Sequence, residues 1–142
     1  KELKIICEKI KKLNGGALFI DYGYNNVEKN IDTLQSIIKH RYNNINKSIG
    51  DADITSLVNF GLYKEYFNYN GLFVEDVITQ SKFLQKMGII ERVKIASNKM
   101  TYQDKSNLYG RLKRLIDPQM MGKNFKVIFA KNKKCDFCLA FK

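Results

Sequence analysis

Asp21, Tyr22 and Gly23 end an unbroken apolar run, Ala17-Leu18-Phe19-Ile20, that follows the glycine pair Gly15-Gly16. A continuous apolar run is the pattern of a buried parallel strand, covered on both faces, and in open α/β sheets ligands bind just beyond the carboxyl ends of such strands. The acidic, aromatic and glycine residues at this tip are therefore where chemistry is expected. The alternative is a buried strand running into a tight loop.

Other reactive residue types are sparse. Cys135 and Cys138 form a lone Cys-x-x-Cys, which could bind zinc or cycle redox only with a second pair or a helix start beside it. The stretch from Cys135 to Phe141 has a strand pattern, and residues three apart in a strand point to opposite faces, so a structural role is expected for the thiols. With Cys7 the cysteine count is odd, which favours a reducing compartment. His40 lies between Lys39 and Arg41, and no nucleophile or metal ligand adjoins it in sequence; a solvated loop histidine is expected.

The elements that must position these residues follow from periodicity. Leu3, Ile6, Cys7, Ile10 and Leu13 recur at helical spacing, which predicts a helix over residues 2–13, stopped by Asn14 and Gly15. Asn59 is the N-cap of a helix with Phe60, Tyr63 and Phe67 on one face, ending at Asn70-Gly71. Leu72 to Ile78 read as a strand, and Thr79 caps a short helix bearing Phe83, Leu84 and Met87, stopped by Gly88. A further helix carries Leu108, Leu112, Leu115 and Ile116, with Pro118 just past its end. Phe125 to Ala130 and Cys135 to Phe141 predict a terminal antiparallel hairpin around Lys131-Asn132-Lys133-Lys134. Residues 24–52 are mostly polar, with a short amphipathic patch at Leu34, Ile37 and Ile38, and a connection this long is expected to be functional or disordered.

With 142 residues and 44% hydrophobic composition, the chain fits a single domain, residues 1–142, with a core of its own. No apolar stretch reaches the roughly 20 residues of a membrane span. The net charge of +11 suits phosphate binding, but lysines far outnumber arginines and are scattered, so no specific nucleic-acid partner is expected. The chain opens on Lys1 with no secretion signal, which suggests a piece of something longer or a processed chain.

Several segments occur in an order that resembles one family: Gly15 to Gly23; Thr33-Leu34-Gln35 with His40-Arg41-Tyr42; Asp53-Ile54-Thr55 with Val58-Asn59-Phe60; Thr79 to Leu84 with Met87-Gly88-Ile89; and Leu115 to Pro118 with Met121-Gly122 and Phe125-Lys126-Val127. Together they are similar to the C-terminal part of the MidA-type S-adenosylmethionine-dependent methyltransferases, whose mitochondrial members methylate an arginine of a respiratory complex I subunit during its assembly. The family pattern usually has an acidic residue where Asn59 stands.

The resemblance implies an α/β fold, the C-terminal portion of a Rossmann-like sheet with flanking helices. It implies a protein substrate, and a location in the cytoplasm of a bacterium or the mitochondrion of a eukaryote. Asp21, Tyr22 and Gly23 would line the substrate cleft, with Asp53 and Thr55 supporting that loop; local capping and turn bonding would explain Asp53 and Thr55 equally well. A glycine-rich loop after a strand is how such folds hold their cofactor, and Gly15-Gly16 precedes a strand instead. The cofactor-binding part is therefore expected to be absent, S-adenosylmethionine to serve the complete family protein and not this chain alone, and an exposed sheet edge to invite self-association. The rival expectation is an inactive remnant acting as a protein-binding module.

Overall fold

The computed structural model describes residues 1–26, 32–138 and 140–141. Helix α1 (Glu2–Leu13) has the predicted bounds, and its last turn closes on Asn14 in the left-handed conformation (φ 50°, ψ 40°), which asparagine tolerates. Strand β1 (Gly16–Tyr24) follows at once. Next come a small sheet of β2 (Gln35–Ile38), β3 (Arg41–Asn43) and β4 (Asp53–Thr55), and then the short strand β5 (Val58–Asn59) leading into α2 (Phe60–Tyr69). Strands β6 (Phe73–Val74) and β7 (Ile78–Thr79) precede α3 (Gln80–Lys86), α4 (Ile89–Ser97), α5 (Tyr102–Ile116), α6 (Met121–Asn124) and β8 (Phe125–Lys131).

The main sheet has the order β5-β1-β8-β6, with β7 also paired to β8. Strand β8 runs antiparallel to β1, β6 and β7, while β5 is parallel to β1. Four strands therefore share one direction and β8 alone opposes them, a mixed α/β sheet with helices flanking it. On one face, α1 and α2 bury Cys7, Ile10, Phe60 and Phe67 against Ile128 and Ala130, with Ala17 and Phe19 of β1 packed against them. Phe19 stacks on Phe67, their ring centroids 5.2 Å apart. Burial pushes the Cys7 thiol above its ordinary value.

Four expectations are corrected. The first concerns β1: its long pairing is antiparallel, seven residues against β8, and the parallel pairing with β5 covers only Gly23 and Tyr24. The apolar run is buried on one face alone. Second, the stretch from Leu72 to Ile78 is two short strands rather than one, because Glu75 to Val77 leave the ladder after the Glu75 N–H bonds to the Phe129 carbonyl.

Third, the terminal hairpin does not form. After Lys131 the chain turns through an Asn132–Cys135 hydrogen bond, and residues 132–138 carry no strand; Leu139 lies outside the described residues. Phe137 and Phe141 instead pack against Phe129, and the Lys131 ammonium donates to the Phe137 carbonyl at 2.9 Å. Fourth, much of the stretch 24–52 is ordered into the small sheet. Lys39 and His40 both have positive φ (47° and 62°), the backbone of a two-residue hairpin turn, which polarity alone does not reveal. Residues 27–31 of that stretch lie outside the described residues.

Candidate functional site

Because β1, β5 and β7 share a direction, their carboxyl ends meet at one edge of the sheet, and Asp21 to Tyr24 sit there. Gly23 is buried against β5: a side chain would bring a Cβ within 2.2 Å of the Val58 carbonyl oxygen and 2.7 Å of the Phe60 ring, so only glycine allows this approach. Next to it, Asn59 closes the junction. Its Oδ1 accepts from the backbone N–H groups of Gly61 and Leu62 at 3.1 and 3.3 Å, capping α2, while its Nδ2 donates to the Asn26 carbonyl at 3.0 Å. An aspartate could cap the helix but has no amide to tie down the chain after β1, which gives this asparagine a second task.

Asp21 and Tyr22 are adjacent but, because the strand continues through Tyr24, they point to opposite faces. Asp21 lies on the side of Ala17 and Phe19. It is exposed, its Oδ1 accepts from the Tyr22 N–H at 2.7 Å, and it forms no ion pair among the described residues. Lys126 stands directly opposite on β8, yet its ammonium donates to the Lys123 carbonyl; burial first, and then the Lys123 charge, hold Lys126 below its ordinary pKa. Tyr22 shares the other face with Leu18 and Ile20, its ring tilted 38° over Phe125 at 3.9 Å between centroids.

Asp53 and Thr55 belong to the separate small sheet, exposed on β4 and paired with Ile37 and Gln35. Among the described residues no hydrogen bond or ion pair joins them to Asp21, Tyr22 or Gly23; the connection is through Ser56 and Leu57 into β5, where the Leu57 N–H donates to the Thr33 Oγ1 at 3.0 Å. His40 is an exposed hairpin-turn residue. The expected opposite-face geometry of Cys135 and Cys138 is replaced by an irregular segment in which the Cys138 thiol donates to Glu75 Oε1 at 3.2 Å. Among the described residues no group of three or more His, Cys, Asp or Glu side chains could hold a metal, and no helix is long and apolar enough to cross a membrane.

One feature was missed by reading lysines as scattered. Lys82 and Lys86 of α3 and Lys123 of α6 line a single cavity of about 420 Å³, with Thr79, Ser81 and Pro118. The spacing of Lys82 and Lys86, one helical turn apart, was the available signal; their meeting with Lys123 was not. The strand-to-helix junctions at Asn59–Phe60 and Thr79–Gln80 are tight turns with side-chain caps, not glycine-rich loops. Neither fits the cofactor cradle such loops provide.

A family described as "Putative S-adenosyl-L-methionine-dependent methyltransferase" matches residues 2–78, more than half of the chain. Protein arginine methyltransferase NDUFAF7, mitochondrial, of Danio rerio is 26% identical over 121 residues, covering 85% of this chain and 28% of that protein. The Drosophila melanogaster homolog is 25% identical over 129 residues, covering 90% and 29%. The chain thus spans less than a third of the curated relatives it matches. An uncharacterised Burkholderia thailandensis protein superposes over 98% of this chain and 38% of its own, with 25% identity and a TM-score of 0.82. A second crystal structure from that organism, bound to S-adenosyl-homocysteine, shares the fold with a TM-score of 0.72 at 24% identity, over 94% of this chain and 37% of its own.

Proposed function

The chain belongs to this S-adenosylmethionine-dependent methyltransferase family, and from that premise we propose that it is the C-terminal, substrate-side part of a protein arginine methyltransferase related to respiratory complex I assembly. The observation that carries the reading is Asp21: an exposed carboxylate without an ion-pair partner among the described residues, at the edge where parallel strands end. Such a group holds a guanidinium by charge-assisted hydrogen bonds, and methyl transfer depends on holding the acceptor in line. Gly23 sets the close packing of β1 on β5 that fixes the height of Asp21. Tyr22 walls the opposite face, and Asp53 and Thr55 contribute exposed polar groups one short connection away. The groups that hold the methyl donor lie, in this proposal, in the family protein outside the span of this chain. Like its named relatives, the complete protein would be mitochondrial in a eukaryote; in a bacterium it would lie in the cytoplasm.

The test is a chimera in which this chain replaces the matched span of the Danio rerio relative, assayed for methyl transfer to arginine peptides. Activity that falls at least roughly ten-fold on Asp21→Asn, the loss of one charged contact, supports the reading; activity unchanged by Asp21→Asn sinks it. Calorimetry of this chain alone with S-adenosylmethionine should give no binding tighter than about millimolar, worth roughly 4 kcal/mol. A second reading, a binding module without catalysis, is favoured by the edge of β1, which over residues 16–22 has no strand partner on its β5 side among the described residues. That reading expects an inactive chimera and self-association of the isolated chain through this edge.

A further inference from the structure

Among the described residues, a single buried side-chain polar atom has no hydrogen-bond partner: the Oγ of Ser36, a residue 1% exposed. Burying an unmatched hydroxyl costs stability, so one kept in that state calls for a use. Ser36 lies on β2, the central strand of the small sheet, opposite Asn43 on β3, and such cross-strand partners share a face with their Cβ atoms about 5 Å apart. Both line a cavity of about 420 Å³, walled by Leu34 and Ile45, and no charged side chain lines it. Asn43 donates from Nδ2 to the Lys47 carbonyl at 3.0 Å, which leaves its Oδ1 an acceptor without a donor among the described residues. The small sheet is rooted at the edge where β1 ends. The chain leaves β1 at Tyr24 and returns at Val58, which pairs with Gly23, and the Leu57 bond to Thr33 closes the neck.

From this arrangement we infer that the cavity beside β2 and β3 binds the main chain of an uncharged stretch of the acceptor protein, the Ser36 hydroxyl donating to a carbonyl and the Asn43 Oδ1 accepting from an N–H. An ion would find no counter-charge in this lining, so the ligand is neutral. One residue of an extended chain offers its N–H and C=O along the same edge, as at the hydrogen-bonded positions of an antiparallel ladder. Leu34 and Ile45 supply apolar contact for the small side chains beside that edge. A sugar ring fits less well, because it brings several hydroxyls that each need a partner when buried. The further amides of the lining, Asn44 and Asn46, are exposed, and the Asn44 Oδ1 is already taken by the Asn46 N–H at 2.9 Å. The inference rests on the methyltransferase reading only in taking the ligand to be a protein.

The experiment titrates the isotope-labelled 142-residue chain with the uncharged peptide acetyl-Ala-Gly-Ala-Gly-Ala-amide and follows its backbone amide resonances by NMR. Shifts at Ser36, Asn43 and Ile45 that saturate at roughly millimolar peptide are expected, the strength of a few hydrogen bonds. Ser36→Ala should weaken this binding about ten-fold and also raise the urea midpoint, because it removes a buried hydroxyl that folding leaves unmatched. The same peptide N-methylated at its glycines cannot donate to Asn43 and should bind about ten-fold more weakly. Absence of saturable shifts overturns the inference, as does binding that survives Ser36→Ala. A lower urea midpoint for Ser36→Ala also overturns it, since the hydroxyl would then already have a partner. Glucose moving the same resonances at the same concentration overturns it in favour of a sugar site. The peptide holds no arginine, so if Asp21→Asn leaves the chimera unchanged while this binding holds, the arginine reading fails and the main-chain site stands.

Discussion

Strands β1 and β8 contain nearly the same signal and meet different fates. Ala17-Leu18-Phe19-Ile20 and Val127-Ile128-Phe129-Ala130 are both four-residue apolar runs, and they pair with each other residue for residue. In β8 none of the four is more than 3% exposed, because strands flank it on both sides, α1 and α2 cover one face, and α3 and the terminal segment cover the other. In β1 Leu18 is 37% and Ile20 46% exposed. An apolar run thus states that a strand is fit for burial on both faces; whether burial occurs depends on what the chain supplies around it.

The comparison gives its largest effect when the two strands are cut back equally. Ile128→Ala should cost about 3 kcal/mol in urea unfolding through the cavity left at a fully buried site, whereas Ile20→Ala should cost less than about 1 kcal/mol; equal costs would break the contrast. Next comes the one point where β1 is as tightly enclosed as β8. Gly23→Ala should destabilise by about 2 kcal/mol as Val58 and Phe60 give way, and should detach β5, read as faster amide exchange at Val58 and Asn59. Asn59→Ala should cost about 1 kcal/mol by uncapping α2, while Asn59→Asp should restore the cap but not the bond to Asn26, separating the two tasks.

The smallest effect lies beside β8, on the exposed link between β6 and β7. The Lys64 hydrogen bond and charge hold the Asp76 carboxyl below its ordinary value. A carboxylate with a lowered folded pKa contributes stability present above its unfolded pKa and lost as pH falls through the folded one. Lys64→Ala should therefore raise the Asp76 titration midpoint by NMR and leave stability at neutral pH almost unchanged, since the group is exposed.

Local signals were legible because their causes are local. The bounds of α1, the caps at Asn59 and Thr79 and the stop at Gly71 rest on bonds spanning a few residues, and each formed as the side chains dictate. The hairpin expected over Phe125 to Phe141 failed because Phe137 and Phe141 gain more by covering Phe129 than the segment would by extending the ladder. At the candidate site, the place of Asp21 at a strand's carboxyl edge was readable. The opposite orientation of Tyr22 was not, since it turns on the strand running on to Tyr24. Asp53 and Thr55 were expected beside that tip, and their pairing with Gln35 and Ile37 placed them on another sheet.

By itself, the sequence determined α1, α2, α3 and α5, the caps at Asn59 and Thr79, the apolar runs and the family, because propensity, capping and residue order are properties of neighbours along the chain; α4 and α6 were not read from it. Only the tertiary structure decided which run is enclosed, that β8 opposes four co-directional strands, and that Lys82, Lys86 and Lys123 line one cavity. Those outcomes depend on contacts between segments far apart in the chain, where burial and charge act through space and residue spacing carries no record of them.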